Sequence, residues 1–286
     1  MKIQQYKEVF LACMSVILLF GLIGCSSDNE IMDKDTGVTK IDYNQIYTLS
    51  EVDTTTMVEN LTEIVFEDEQ EVYLIEKPGA YLLNGEHEGQ IQIDVQDQIV
   101  HLILEDVNLK SYNGPAIYVK SAAKAVITVP EDSSCILMDS AYYANYTDAK
   151  GCIYSASDLT INGSGMLQVY GYYKDAIRSK DVLKILGINL AVKAKDNGLR
   201  GNDGVVIQTE TLEVECEGTG IYTEKEKKTN QGFVDMANGT VWIIAGEYGI
   251  KASENIYVHD CKVDIEGIIQ NIVCLGKQYI EEGCLE

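Results

Sequence analysis

Leu159-Thr160-Ile161, Leu183-Lys184-Ile185, Val205-Val206-Ile207, Val234-Asp235-Met236 and Ile256-Tyr257-Val258 form a column of apolar-x-apolar triplets, spaced 24, 22, 29 and 22 residues apart. A second column keeps step with it: Leu167-Gln168-Val169, Leu190-Ala191-Val192, Leu212-Glu213-Val214, Val241-Trp242-Ile243 and Val263-Asp264-Ile265. Its spacings are 23, 22, 29 and 22. Single apolar residues make a third column: Ile117, Ile153, Ile177, Leu199, Ile221 and Ile250. Alternation within each triplet is the period of a strand with one face buried. Three columns in one register describe a repeating unit of three short strands. One unit cannot bury its apolar positions alone, but stacked units share a core. The expected class is therefore all-β, a parallel β-helix with three strands per turn. An antiparallel sandwich also spaces its strands regularly, but it does not hold one triplet pattern in phase through five repeats.

Outward from this array, short β-type runs begin near Leu61: Ile64-Val65-Phe66, Val72-Tyr73-Leu74-Ile75 and Tyr81-Leu82-Leu83. The helical domain is expected over 61–286. Two turns carry extra residues, roughly Pro130 to Lys150, with Tyr142, Tyr143 and Tyr146, and Glu224 to Gln231, with Lys225-Glu226-Lys227-Lys228. Insertions in a solenoid project as loops, often on the binding face. From about 268 the pattern fades, and the end is expected to cap the open sheet edges.

The N-terminus reads differently. Lys2 and Lys7 precede an apolar stretch from Val9 to Leu22 that ends in Leu22-Ile23-Gly24-Cys25. The stretch is short for a spanning helix, which needs about 20 apolar residues. Residues 1–24 are expected to be a lipoprotein signal peptide, with Cys25 the lipidated residue, since two or three acyl chains anchor stably where one does not. Residues 25–60, polar and rich in Asp, Thr and Ser, read as a tether with a short lead-in. The localisation expected is extracytoplasmic, with the lipid anchor the only membrane contact.

The formal net charge of the 286 residues is −23. Nucleic acid is excluded as a partner, because binding it needs a basic footprint. A polyanionic sugar requires cations to mediate, and calcium is the usual device of acidic extracellular proteins. Tyr is 18 against Phe 4 and Trp 1, an excess suited to strand surfaces and to sugar contact. Beyond Cys13 and Cys25, six cysteines remain: Cys135, Cys152, Cys216, Cys261, Cys274 and Cys284. None forms C-x-x-C, and the histidines are His87, His101 and His259, so no zinc site is expected. The cysteines read as small buried residues, with Cys274 and Cys284 the pair to check for a disulfide.

Several motifs then occur in order: Gly79-Ala80-Tyr81-Leu82-Leu83-Asn84-Gly85, Gly89-Gln90-Ile91, Ile103-Leu104-Glu105-Asp106-Val107, Pro115-Ala116-Ile117-Tyr118-Val119, Leu159-Thr160-Ile161-Asn162-Gly163-Ser164-Gly165, and Asp196-Asn197-Gly198-Leu199-Arg200-Gly201-Asn202-Asp203. Over about Gly79 to Gly267 the chain resembles the clostridial carbohydrate-binding domain-containing lipoproteins. The resemblance implies a right-handed parallel β-helix of the pectate-lyase type, with calcium held between turns. It also implies binding of cellulose or acidic plant polysaccharides such as polygalacturonate, rather than their cleavage. The family's acidic turn start is kept in Lys174-Asp175-Ala176-Ile177 and Asp196-Asn197-Gly198-Leu199. It is lost or displaced in Gly218-Thr219-Gly220-Ile221 and Glu247-Tyr248-Gly249-Ile250.

The columns also say which side chains stack. Asp181 lies one turn from Asp203, and strands in a sheet sit about 4.8 Å apart. Two bare carboxylates at that distance repel by roughly 3 kcal/mol at an effective dielectric near 20. Such a pair must bind a cation, hold a proton, splay apart or meet a lysine such as Lys174, Lys180 or Lys195. The candidate calcium ligands are Asp175, Asp181, Asp196, Asn197 and Asp203. Beside the third column run Tyr118, Tyr154, Arg178, Arg200, Tyr222 and Lys251, all expected to face outward. Tyrosine stacks on sugar rings, and arginine pairs a uronate carboxylate with two hydrogen bonds. These six are the candidate carbohydrate-binding residues. Three function classes remain open at this point. The first is a non-catalytic binder of polysaccharide. The second is a calcium-dependent polysaccharide lyase with Lys174, Arg178 or Arg200 as base. The third is a structural or adhesive surface protein. No residue is singled out as catalytic.

Overall fold

The structure, a computed structural model, describes residues 46–66, 70–144, 148–224 and 231–285. Cys25, the expected signal peptide, Tyr146 and Lys225 to Lys228 lie outside the described residues. No helix among the described residues is long and apolar enough to cross a membrane.

Short strands pair in parallel along three ladders, and the chain visits the ladders in rotation. The first ladder contains Lys124–Val129, Asp158–Gly163, Val182–Leu186, Gly204–Gln208, Phe233–Ala237 and Ile256–His259. The second contains Ser134–Met138, Met166–Gly171, Asn189–Ala194, Thr211–Cys216, Thr240–Ala245 and Lys262–Gly267. The third is a 9-stranded sheet running from Val72–Ile75 to Gln270–Cys274. The register is the one the apolar columns predict, with Leu159 opposite Leu183 and Ile177 opposite Leu199.

The first two ladders merge at the N-terminal end, because Gly79–Glu88 and Ile99–Lys110 each run through both. These long strands turn the corner where the pairing slips between Asn84 and Glu86 and where Gly85 (φ 80°) and Asp106 (φ 48°) enter left-handed backbone. Inward residues of all three ladders, among them Leu159, Leu167, Ile177 and Leu183, make one continuous core.

Three sequence expectations are corrected. Ser134–Met138, assigned to an insertion, is a full member of the second ladder, so the inserted loop begins only after Met138. Its strand pattern is short and follows Pro130-Glu131-Asp132, which reads as a turn. The segment from 268, expected to be a cap, continues the ladders. Gln270–Cys274 pairs with Tyr248–Ala252, Gln278–Ile280 pairs with Ile256–His259, and Leu285 bridges Val263. Its outer strands bury few side chains, so the apolar pattern thins although the pairing persists.

Third, residues 46–55, placed in the tether, are folded as a strap over the outside of the first ladder. Ser50 caps a one-turn helix, Glu51–Thr54, in a reciprocal capping box with Asp53. Asp53 is 0% exposed. Its carboxylate accepts hydrogen bonds from Lys124 Nζ (2.6 Å), Lys184 Nζ (2.9 Å) and Thr160 Oγ1 (2.6 Å). Asn162 Nδ2 donates to the strap carbonyls of Asp53 and Thr55. Further along, Tyr47 stacks on Phe233 and donates to Asp235. These partners lie far apart in sequence and are largely polar, so no local period reveals them.

Candidate functional site

The outward row of the third ladder is assembled by strand register alone. Tyr118 stands opposite Tyr154, Tyr154 opposite Arg178, Arg178 opposite Arg200, Arg200 opposite Tyr222, and Tyr222 opposite Lys251. All six candidate sugar contacts therefore form one line across the strands. The Tyr118 and Tyr154 rings lie 5.7 Å apart. The Arg200 guanidinium sits 4.7 Å from the centre of the Tyr222 ring, and Lys251 Nζ is 5.7 Å from the same ring and 4.7 Å from that of Tyr248. Cations over ring faces are held by the ring quadrupole. The row is thus tied together at both ends, Tyr118 with Tyr154 and Arg200 with Tyr222 and Lys251.

Its exposure is uneven. Tyr154 faces outward but is only 3% exposed, so as placed it supports its neighbours and has no open face for a sugar. Burial, opposed by Arg178 and helped a little by Tyr118 and Asp148, pushes its hydroxyl up to about 12. Tyr118, Arg178, Arg200, Tyr222 and Lys251 are half-buried. The arginines are engaged by acids: Arg178 Nη1 lies 3.6 Å from Asp175 Oδ2, and Arg200 pairs with Glu224.

The five candidate calcium ligands separate into three settings. Asp175, 1% exposed, accepts hydrogen bonds from Asn197 Nδ2 (2.7 Å) and Asn197 N (3.2 Å). Asn197 Oδ1 in turn accepts from Thr219 N. Both residues are therefore spent on a corner ladder that joins successive repeats. Burial raises the Asp175 carboxyl above its ordinary range, against the lowering effects of Asn197, Arg200 and Arg178. Asp196 is half-exposed and paired with Lys174 at 3.3 Å. Asp181 and Asp203 occupy equivalent places in successive repeats, with Asp203 N donating to Asp181 O at 3.1 Å, and Gln231 Nε2 donates to Asp203 Oδ2. Among the described residues no group of three or more His, Cys, Asp or Glu side chains is arranged to hold a metal ion.

A feature that sequence reasoning missed lies along the two arginines. Asp175 Oδ2, Arg178 Nε, Arg200 Nε, Asn202 Oδ1 and Gln231 Oε1 are buried polar atoms without a hydrogen-bond partner. Buried polar atoms are nearly always satisfied by protein or water. They belong to residues of successive repeats, and water or a polar ligand could satisfy them. Only tertiary burial reveals them.

A family model describing carbohydrate-binding domain-containing proteins matches residues 69–271. The chain belongs to that family. A carbohydrate-binding domain-containing protein of Acetivibrio thermocellus is 31% identical over 288 aligned positions, covering 98% of this chain and 97% of the relative. Among solved structures, a polysaccharide lyase-like protein from C. thermocellum, solved as a gadolinium derivative, superposes with a TM-score of 0.71 at 29% identity. That match covers 79% of this chain and 97% of the other. In this carbohydrate-binding domain the matched region includes all six residues of the row and all five acidic-corner residues.

Proposed function

We propose that this protein is an extracytoplasmic lipoprotein, anchored through Cys25, that binds acidic plant polysaccharide such as polygalacturonate without cleaving it. In this reading the three ladders wind as a right-handed parallel β-helix with three strands per turn. Family membership and the polysaccharide lyase-like neighbour support a polysaccharide partner. The observation that carries the acidic substrate is the in-register row with Arg178 and Arg200 at its centre, flanked by tyrosines, beside the unpartnered buried polar atoms. Two guanidiniums one repeat apart offer planar donor forks to successive carboxylates, and the tyrosine rings offer apolar faces to the sugars. The overall charge of −23 opposes a polyanion, so the row must work as a local cationic strip.

Calcium enters the reading at one place. Asp181 and Asp203, stacked in adjacent repeats, supply carboxylate oxygens, and the polymer's own carboxylates would supply others toward the six to eight that calcium takes. Asp175, Asp196 and Asn197 hold other partners and do not complete a cage, and Asp203 Oδ2 accepts from Gln231, a contact that calcium would have to displace. Lyase activity is the second reading, favoured by the neighbour's description. The candidate bases Lys174, Arg178 and Arg200 each face a carboxylate, an arrangement suited to holding charge in place rather than to abstracting a proton.

The test is calorimetry of the full-length chain with polygalacturonate, with and without calcium, while ultraviolet absorbance is followed. Heat without new absorbance is the expected result, and its dependence on calcium reports on the Asp181–Asp203 pair. Rising absorbance means unsaturated products and makes the protein a lyase. Silence in both channels overturns the acidic-polysaccharide reading.

A further inference from the structure

At the C-terminal end a depression of about 450 Å³ is lined by Cys261 and Cys284 with Asp260, Lys262, Glu281 and Glu282. It shares no lining residue with the Tyr–Arg row. Cys261 directly precedes the strand Lys262–Gly267, the last long strand of the second ladder. Cys284 belongs to the chain end that folds back over it: Val263 N donates to Cys284 O at 2.7 Å, and Val263 bridges Leu285. Both cysteines line this one depression, and Cys261 Sγ contacts the carbonyl oxygen of Met236 at 3.7 Å. They are 7% and 4% exposed, at the wall of an open depression rather than deep in the core. The other cysteines among the described residues do not line the depression. Cys135 contacts the backbone at Leu104 and Val107, and Cys274 Sγ contacts Gly276 O. Cys284, which the sequence paired with Cys274, thus shares the depression with Cys261 instead.

We propose that Cys261 and Cys284 are an oxidisable pair that closes to a disulfide and staples the chain end to the second ladder. The terminal strands Gln270–Cys274 and Gln278–Ile280 lie between the two cysteines, so the bond would hold them as the sides of a closed loop. The oxidant is a small disulfide, or a protein disulfide presented at the depression. The Cys284 thiolate attacks one sulfur of that disulfide and expels the other as a thiolate, leaving a mixed disulfide. The Cys261 thiolate then attacks Cys284 Sγ and expels the second thiolate. One disulfide is consumed and one is formed, and the two protons lost by the cysteines go to the two released thiolates. Burial first, and then the adjacent Cys284, push the Cys261 thiol up to about 12, so little Cys261 thiolate is present to make the first attack. Asp260, Glu281 and Glu282 outnumber Lys262 around the opening, so a cationic disulfide reaches it more readily than an anionic one.

The experiment exposes the reduced full-length chain to cystamine, blocks remaining thiols with iodoacetamide in denaturant, and maps the peptides by mass. The expected product links the Cys261 and Cys284 peptides with the loss of two hydrogens. The oxidised chain also melts several degrees higher than the reduced chain. C284S and C261S each abolish both the link and the shift, and C274S leaves both in place. The proposal is overturned if Cys261 and Cys284 stay alkylatable, if they end as separate cystamine adducts, or if Cys284 links to Cys274. Should a serine variant fail to fold, the wild-type peptide map decides alone.

Discussion

Lys184 Nζ lies 2.9 Å from Asp53 Oδ2, joining residues 131 positions apart and clamping the N-terminal strap to the first ladder. Lys124, two repeats before Lys184 on the same ladder, holds the other oxygen of the same carboxylate at 2.6 Å. Asp53 and Lys184 are buried and Lys124 is half-buried. Removing one member of a buried pair leaves its partners desolvated and unpaired, at a cost of about 3–5 kcal/mol. Asp53→Ala is therefore expected to lower the free energy of unfolding by that amount and to move the urea midpoint down accordingly. Replacing all three, Asp53→Leu with Lys124→Met and Lys184→Met, recovers a large part of the loss. Equilibrium unfolding of the three chains checks both outcomes.

Asp53 and Asp139 give opposite pH dependences. At Asp53 burial works to raise the carboxyl, but the hydrogen bonds from Lys124, Thr160, Lys184 and Ser50 outweigh it and hold it well below the ordinary range. Its contribution is complete above the unfolded value near 4 and is lost as the pH falls below it. Asp139 is 3% exposed, and burial pushes it up to about 7 against hydrogen bonds from Tyr143, Tyr172 and Tyr173. Its proton is favoured by folding, so its contribution is complete below about pH 4 and is lost as the pH rises through 7. The whole effect is about 4 kcal/mol at most. Asp139→Asn should flatten the fall in stability between pH 4 and 7 and leave the acid limb, set by Asp53, in place. Melting curves across pH 3 to 8 measure both limbs.

The row predicts a graded binding series. Arg178→Ala and Arg200→Ala should each weaken polygalacturonate binding by about 10- to 100-fold, the worth of a charge-assisted hydrogen-bonding fork. Arg200→Lys keeps the charge without the fork and should fall between Arg200→Ala and the wild type. Tyr154→Phe should leave affinity unchanged, because the ring is covered. Affinity electrophoresis reports the series, and circular dichroism confirms that each variant is folded.

Gly220 and Gly249 start successive strands of the third ladder at a corner where the repeats touch. A Cβ on Gly220 would stand 2.6 Å from the carbonyl oxygen of Gly249 and against Ile243 Cγ2, and one on Gly249 would stand 2.6 Å from the carbonyl oxygen of Asn271. Backbone on the next repeat cannot move aside alone. Gly220→Ala should cost about 1–3 kcal/mol of overpacking strain, read as a lower thermal midpoint without loss of sheet signal.

The ladders were legible because their core is built from local alternation repeated in phase. Leu159, Leu183 and Val205 each point inward for the same reason, and one misplaced residue would turn the strand's apolar face to solvent. Stacking of Arg178 on Arg200 follows from the same count, since register places outward neighbours as strictly as inward ones. Legibility failed where burial did not repeat. Ser134–Met138 lies between a turn and a long loop, and Gln270–Cys274 has little to cover it.

The sequence by itself determined a parallel, three-column strand array, its register and the line of tyrosines and arginines along one face, because these depend only on periodicity and alternation. Tertiary structure decided what periodicity does not carry. It set Asp53 between two lysines, covered Tyr154, spent Asn197 on Asp175, and brought Cys284 to Cys261 rather than Cys274. Each of these depends on which groups lose contact with water together, and that is settled only when distant segments close over one another.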